Sequence, residues 1–105
     1  MPDKETILQK IKKSILSTAP GAQIILYGSF ARGDYHAESD MDILILVDNE
    51  TISRDEEKKI TYPLYDIEFE TGQIISPFIK SKKEWVVKYP NTPFYKNVIK
   101  EGIEL

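Results

Sequence analysis

Near the start of the chain, Ile7, Ile11 and Ile15 recur at helical spacing with Leu8 and Leu16 beside them, while Lys10, Lys12 and Lys13 face outward. Asp3 is placed to cap this helix, and Pro20-Gly21 ends it. Gln23 to Tyr27 is a short apolar run rich in β-formers, bounded by Gly21 and Gly28, and it predicts a strand. Residues 29–39 are small, polar or charged and read as a loop, opening with one helical turn at Phe30-Ala31-Arg32. Met41 to Val47 predicts a second strand. It is apolar on both faces beyond Asp42, the mark of a central position.

Residues 52–72 admit two readings. Ile52, Ile60, Leu64 and Ile67 follow helical spacing, Ser53 with Glu56 or Glu57 gives N-terminal signals, and Gly72 stands where a C′ glycine belongs. Pro63 opposes a helix, because an interior proline costs about 3 kcal/mol. A kink, or a new helix beginning near Thr61-Tyr62-Pro63, would remove that objection. The rival is a hairpin, with Asp66, Glu68 and Glu70 alternating against Ile67 and Phe69 around a turn at Thr71-Gly72. The spacing and the glycine stop favour the helix.

Ile74 to Ile79 predicts a third strand, and Pro77 within it implies an edge position or a bulge. Ser81-Lys82-Lys83-Glu84 reads as a capping box opening a short helix through Trp85, Val86 and Val87. Tyr89-Pro90-Asn91 breaks that helix. Thr92 then caps a last one, with Pro93 in its first turn and Gly102 as its stop. The order is αβ(loop)βαβαα, which predicts an α/β (α+β) domain spanning residues 1–105: a small mixed sheet with helices packed on it.

Composition narrows the chemistry. The 105 residues carry 14 basic and 17 acidic side chains, a formal charge of −3, which argues against a general nucleic-acid coat. With no cysteine, disulfide scaffolds, thiolate zinc sites and cysteine nucleophiles are excluded. No apolar stretch approaches the roughly 18 residues of a membrane span, and the start MPDKETILQK is not a secretory signal, so a cytoplasmic protein is expected. Nine of the seventeen acids fall between Asp34 and Glu57, around the second strand. Carboxylates gathered there form either a solvated rim or a cation site.

Spacing separates those alternatives. Gly28 ends a strand, where the lack of a Cβ lets backbone approach a ligand. Ser29 then opens a helical turn and offers a hydroxyl and amide N–H groups to an anion. Asp40 and Asp42 are two apart, so on a strand both carboxylates leave one face. Such a pair repels unless a cation sits between. Mg²⁺, which takes one or two carboxylates plus phosphate oxygens, is the natural choice. Phosphate cradle and carboxylate pair together describe a nucleoside triphosphate site.

The spacing Gly-Ser-x10-Asp-x-Asp closely resembles the signature of the DNA polymerase β-like nucleotidyltransferases. The fuller string GSFARGDYHAESDMDILILV is similar to its minimal members, small proteins that often act as antitoxins beside HEPN-domain toxins. The resemblance implies that Gly28 and Ser29 hold the β- and γ-phosphates and that Asp40 and Asp42 hold the metals. Arg32 would lie near the triphosphate or order the loop. The implied reaction is transfer of a nucleoside monophosphate, AMP from ATP, to a hydroxyl of a partner such as a HEPN toxin, with two Mg²⁺ ions. The alternative is a homologue of weak or lost activity that neutralises its toxin by contact.

The family pattern includes a third carboxylate on a neighbouring strand. If residues 65–70 are a strand, Asp66 or Glu68 could serve. If they are helical, the next strand offers only Ser76. His36, the lone histidine, is expected to be exposed and idle in the loop, and Arg32 has Asp34 or Glu38 as nearby partners. Trp85, Phe94 and Tyr95 are expected to pack the last helices together.

Overall fold

The computed structural model describes residues 3–105. Helix α1 (Lys4–Thr18) begins where the Asp3 carboxylate accepts a hydrogen bond from the Thr6 amide at 2.8 Å. Strand β1 (Gln23–Tyr27), the single-turn helix α2 (Ser29–Arg32) and strand β2 (Met41–Val47) follow. Helix α3 (Arg54–Thr71) then leads to strand β3 (Ile75–Ser81), and helices α4 (Lys82–Lys88) and α5 (Pro93–Glu101) precede a two-residue strand β4 (Ile103–Glu104).

The sheet order is β3-β2-β1-β4. β1 runs antiparallel to β2 and β4, whereas β2 and β3 are parallel, which makes the mixed sheet the pattern implies. β2 is interior, and β3 with its Pro77 takes an edge. β4 has no counterpart in the sequence pattern, because two residues leave no periodicity to read.

Each face of β2 is buried by different partners. Met41, Ile43, Ile45 and Val47 pack with Ile7, Ile11 and Ile15 of α1 and Ile60, Leu64 and Ile67 of α3. Leu44 and Leu46 meet Trp85 of α4, Val98 of α5 and rings that include Tyr27, Phe78 and Phe94. The expected packing role of Trp85, Phe94 and Tyr95 is what the structure has.

Residues 54–71 form one helix, not a hairpin, and it does not restart at Pro63. Ile60, Leu64 and Ile67 lie on both sides of the proline, and each is worth about 1.5–3 kcal/mol when buried, which together exceeds the roughly 3 kcal/mol proline penalty. Ser53 and Glu56 close a reciprocal capping box, with both hydrogen bonds at 3.2 Å, and Gly72 ends the helix in the left-handed conformation at φ 76°. The box expected at α4 is only half formed. Ser81 Oγ accepts from the Glu84 amide at 3.0 Å, but the Glu84 carboxylate turns to the Lys80 ammonium 3.4 Å away.

Candidate active site

The centre of the site is the junction of β1, α2 and β2. Gly28 has φ 74° and ψ −155°, a conformation costly for any residue with a Cβ. A Cβ there would also overlap the Asp42 carboxylate. The glycine therefore does two things: it turns the chain from strand into helix, and it lets that turn lie against an acid of the next strand. The Gly28 carbonyl accepts from the amides of Ala31 and Arg32 at 3.1 and 3.0 Å, starting α2. As the first amides of α2, those of Ser29 and Phe30 have no partner within the helix.

Asp42 is half-buried and stands opposite Tyr27 in β1 and Ser76 in β3. Burial, and next the charge of Asp40, push its carboxyl above the ordinary carboxylate value, while Arg32 pulls it down. Asp40 is exposed, one residue ahead of β2. Asp40 and Asp42 stand two residues apart on the chain, and the half-buried Asp42 bears a desolvation cost. Burial, and then Asp42, push the Tyr27 hydroxyl up to about 12, so it stays protonated beside them.

The loop before Asp40 is organised by its own backbone and by α3's end. His36 is exposed, as expected, but not idle: its Nδ1 accepts from the Glu38 amide at 3.2 Å, and its amide donates to Ser39 Oγ at 2.9 Å. Gln73 Nε2 donates to the carbonyls of Ser39 at 2.9 Å and Ile74 at 2.8 Å. The Met41 amide donates to the Ile74 carbonyl at 2.9 Å, so the residue between the two aspartates is tied to the start of β3.

Arg32, at the end of α2, donates from Nε to Asp34 and from Nη1 to Glu101, both at 3.1 Å. Asp34 was an expected partner. Glu38 is replaced by Glu101, an acid of α5 that nothing in the local sequence marks.

Of the two candidates for a third carboxylate, Asp66 lies on the exposed side of α3. Glu68 is partly buried, and its Oε1 accepts from the Ile75 amide at 2.7 Å, capping the first residue of β3. The helical course of residues 54–71 separates both from the alternation that would bring them to the pair. Among the described residues no three His, Cys, Asp or Glu side chains come together as a metal-holding group. The strand position facing Asp42 belongs to Ser76. A cavity of about 310 Å³ lies at the other end of β2, around Gly21, Asp48 and Glu56, and includes none of these residues.

Comparison with known proteins bears on the family and the fold. The family described as a nucleotidyltransferase domain matches residues 8–103. A candidate protein adenylyltransferase of Methanocaldococcus jannaschii is 34 % identical over 102 residues, covering 94 % of this chain and 95 % of that protein. A crystal structure of a toxin–antitoxin complex with AMP-PNP superposes with TM-score 0.63 at 18 % identity, over 97 % of this chain and 72 % of the other. A tri-AMPylated Shewanella oneidensis HEPN toxin in complex with its MNT antitoxin gives TM-score 0.62 at 16 % identity, over 97 % of this chain and 71 % of the other. At such identities the two solved structures establish likeness of fold.

Proposed function

The chain belongs to the nucleotidyltransferase domain family, and from that premise we propose that it transfers AMP from ATP to a hydroxyl of a protein partner, a HEPN-domain toxin. The observation that carries this reading is the contact of the Gly28 turn with Asp42. It sets a helix N-terminus, fit for phosphates, against a carboxylate pair, fit for a cation. The choice of partner draws on two of the structures similar in fold, both toxin–antitoxin complexes, one with an AMPylated HEPN toxin.

In the proposed reaction the acceptor oxygen attacks the α-phosphorus of ATP. A new phosphorus–oxygen bond forms, the hydroxyl proton passes to solvent, the bond to the bridging oxygen breaks, and pyrophosphate leaves with that electron pair. Ser29 and the amides of α2's first turn would hold the β- and γ-phosphates, orienting the leaving group. Arg32 would add positive charge at the same rim. Asp40 and Asp42 fit Mg²⁺, because the burial and mutual repulsion that raise the Asp42 carboxyl are what a hard cation offsets. When bound, Mg²⁺ supplies neutralisation of the phosphates and of the charge on the leaving group.

Ser76 opposite Asp42 favours a second reading, in which the protein neutralises its toxin by contact with little chemistry. Incubation with labelled ATP, Mg²⁺ and the HEPN partner separates the two. Label on the partner supports transfer, whereas neutralisation of the partner without label supports contact alone. Binding of MgATP in excess over its Kd should raise the melting temperature, and at 100-fold excess the added stability is about 2.7 kcal/mol. A melt unmoved by millimolar MgATP would refute the nucleotide site.

A further inference from the structure

We propose that Glu101 is a positioning residue for the nucleotide site: by holding Nη1 of Arg32 from α5, it fixes the guanidinium at the rim of the carboxylate pair. This rests on the reading of Gly28, Ser29 and Arg32 as phosphate-binding groups. Arg32 is a long side chain, 46 % exposed, and left free it would sample many rotamers and lose that freedom on meeting a phosphate. Two carboxylates remove the freedom in advance. Asp34 takes the Nε–H and Glu101 takes one Nη1–H, each at 3.1 Å.

A guanidinium has five N–H groups in a rigid fork, so the Nη2 pair remains for an anion and neither carboxylate need be displaced. Arg32 closes the single turn of α2, whose N-cap Gly28 lies against the Asp42 carboxylate, so the residue stands one helical turn from the proposed catalytic pair.

Of the two clamps, Glu101 is the better fixed. Its side chain is 22 % exposed against 62 % for Asp34. The chain on either side of it is tied down. The Gly102 amide donates to the Val98 carbonyl at 2.8 Å, and β4 then pairs Ile103 with Leu26 and Glu104 with Ile25. β4 therefore ties to the sheet the chain that follows Glu101. The end of the chain, about 70 residues from the signature motif, helps to assemble the site.

The test is a double-mutant cycle on MgATP affinity, read by equilibrium binding together with the melting temperature. Glu101→Ala is expected to weaken MgATP about two- to fivefold, the range an exposed ion pair supports. Glu101→Gln, which keeps an acceptor oxygen, should recover part of that loss. In the labelling assay the effect should fall on KM for ATP and leave kcat nearly unchanged. In an Arg32→Ala background, Glu101→Ala should weaken binding no further. Unchanged MgATP affinity in Glu101→Ala, even with a lowered melting temperature, would overturn the proposal and make the contact structural only. Tighter binding would overturn it too, showing that Glu101 competes with phosphate. Failure of the wild-type chain to bind MgATP would instead refute the nucleotide site itself, and this inference with it.

Discussion

Asp42 near the start of β2 and Asp48 just past its end each lie against a glycine, Gly28 and Gly21, in the space a Cβ would need. What surrounds the two acids differs. Lys82 Nζ reaches Asp48 Oδ1 at 2.7 Å and the Gly21 carbonyl at 2.7 Å, so that acid has its own cation and closes a clamp between α4 and the turn before β1. Asp42 has a second acid, Asp40, as its neighbour, and the nearby Arg32 is already held by Asp34 and Glu101. An acid matched by a lysine of its own chain is a fastening. An acid matched by another acid has no such partner, and in the proposed function it takes a cation from outside.

The largest test of that contrast is Asp42→Asn. Transfer to the partner should fall by about 10²-fold or more, the scale of losing one preorganised electrostatic group. Stability should hold or rise slightly, because the repulsion between Asp40 and Asp42 is relieved. Retained labelling in this variant would break the comparison at its active end.

Gly28→Ala should follow. The left-handed backbone and the overlap with Asp42 are expected to lower stability by about 1–3 kcal/mol, measured by urea midpoint, and to weaken MgATP binding by displacing the carboxylate. A variant with wild-type midpoint and affinity would show that the close approach is dispensable.

pH sharpens the same point. Because the Asp42 carboxyl is raised in the folded protein, its contribution favours the fold below the ordinary value of 3.8 and is lost as pH rises through the folded value. The stability of the metal-free wild type relative to Asp42→Asn should therefore decline as pH climbs from 3.8 through that value, and Mg²⁺ at neutral pH should restore it. A difference independent of pH would mean that Asp42 carries no such burden.

The smallest effect belongs to the fastened end. Asp48→Asn should cost no more than about 1 kcal/mol, as exposed pairs do, and leave MgATP affinity unchanged. A loss of affinity there would erase the distinction between the two ends.

Most of the fold and the signature is legible in the sequence. Ile7, Ile11 and Ile15 mark α1 because helical spacing is local, and Ser53 with Glu56 marks the start of α3 because a capping box closes within one turn. The signature runs from Gly28 to Asp42 for a similar reason: one tight turn and one returning strand bring its parts together, so chain distance and spatial distance are both short. What lay beyond a few turns was not legible. Pro63 alone could not settle residues 54–71, because the burial of Ile60, Leu64 and Ile67 against α1 and β2 outweighs it. Ser76 is what the sequence offers on the next strand once residues 65–70 are helical, but that it stands opposite Asp42 follows only from the parallel register of β3. Glu101 meets Arg32 across 69 residues. Local periodicity, caps and turns are energies of neighbouring residues and stand in the sequence itself. Register across a crossover and the docking of a chain end are energies of packing, and they exist only once the sheet has formed.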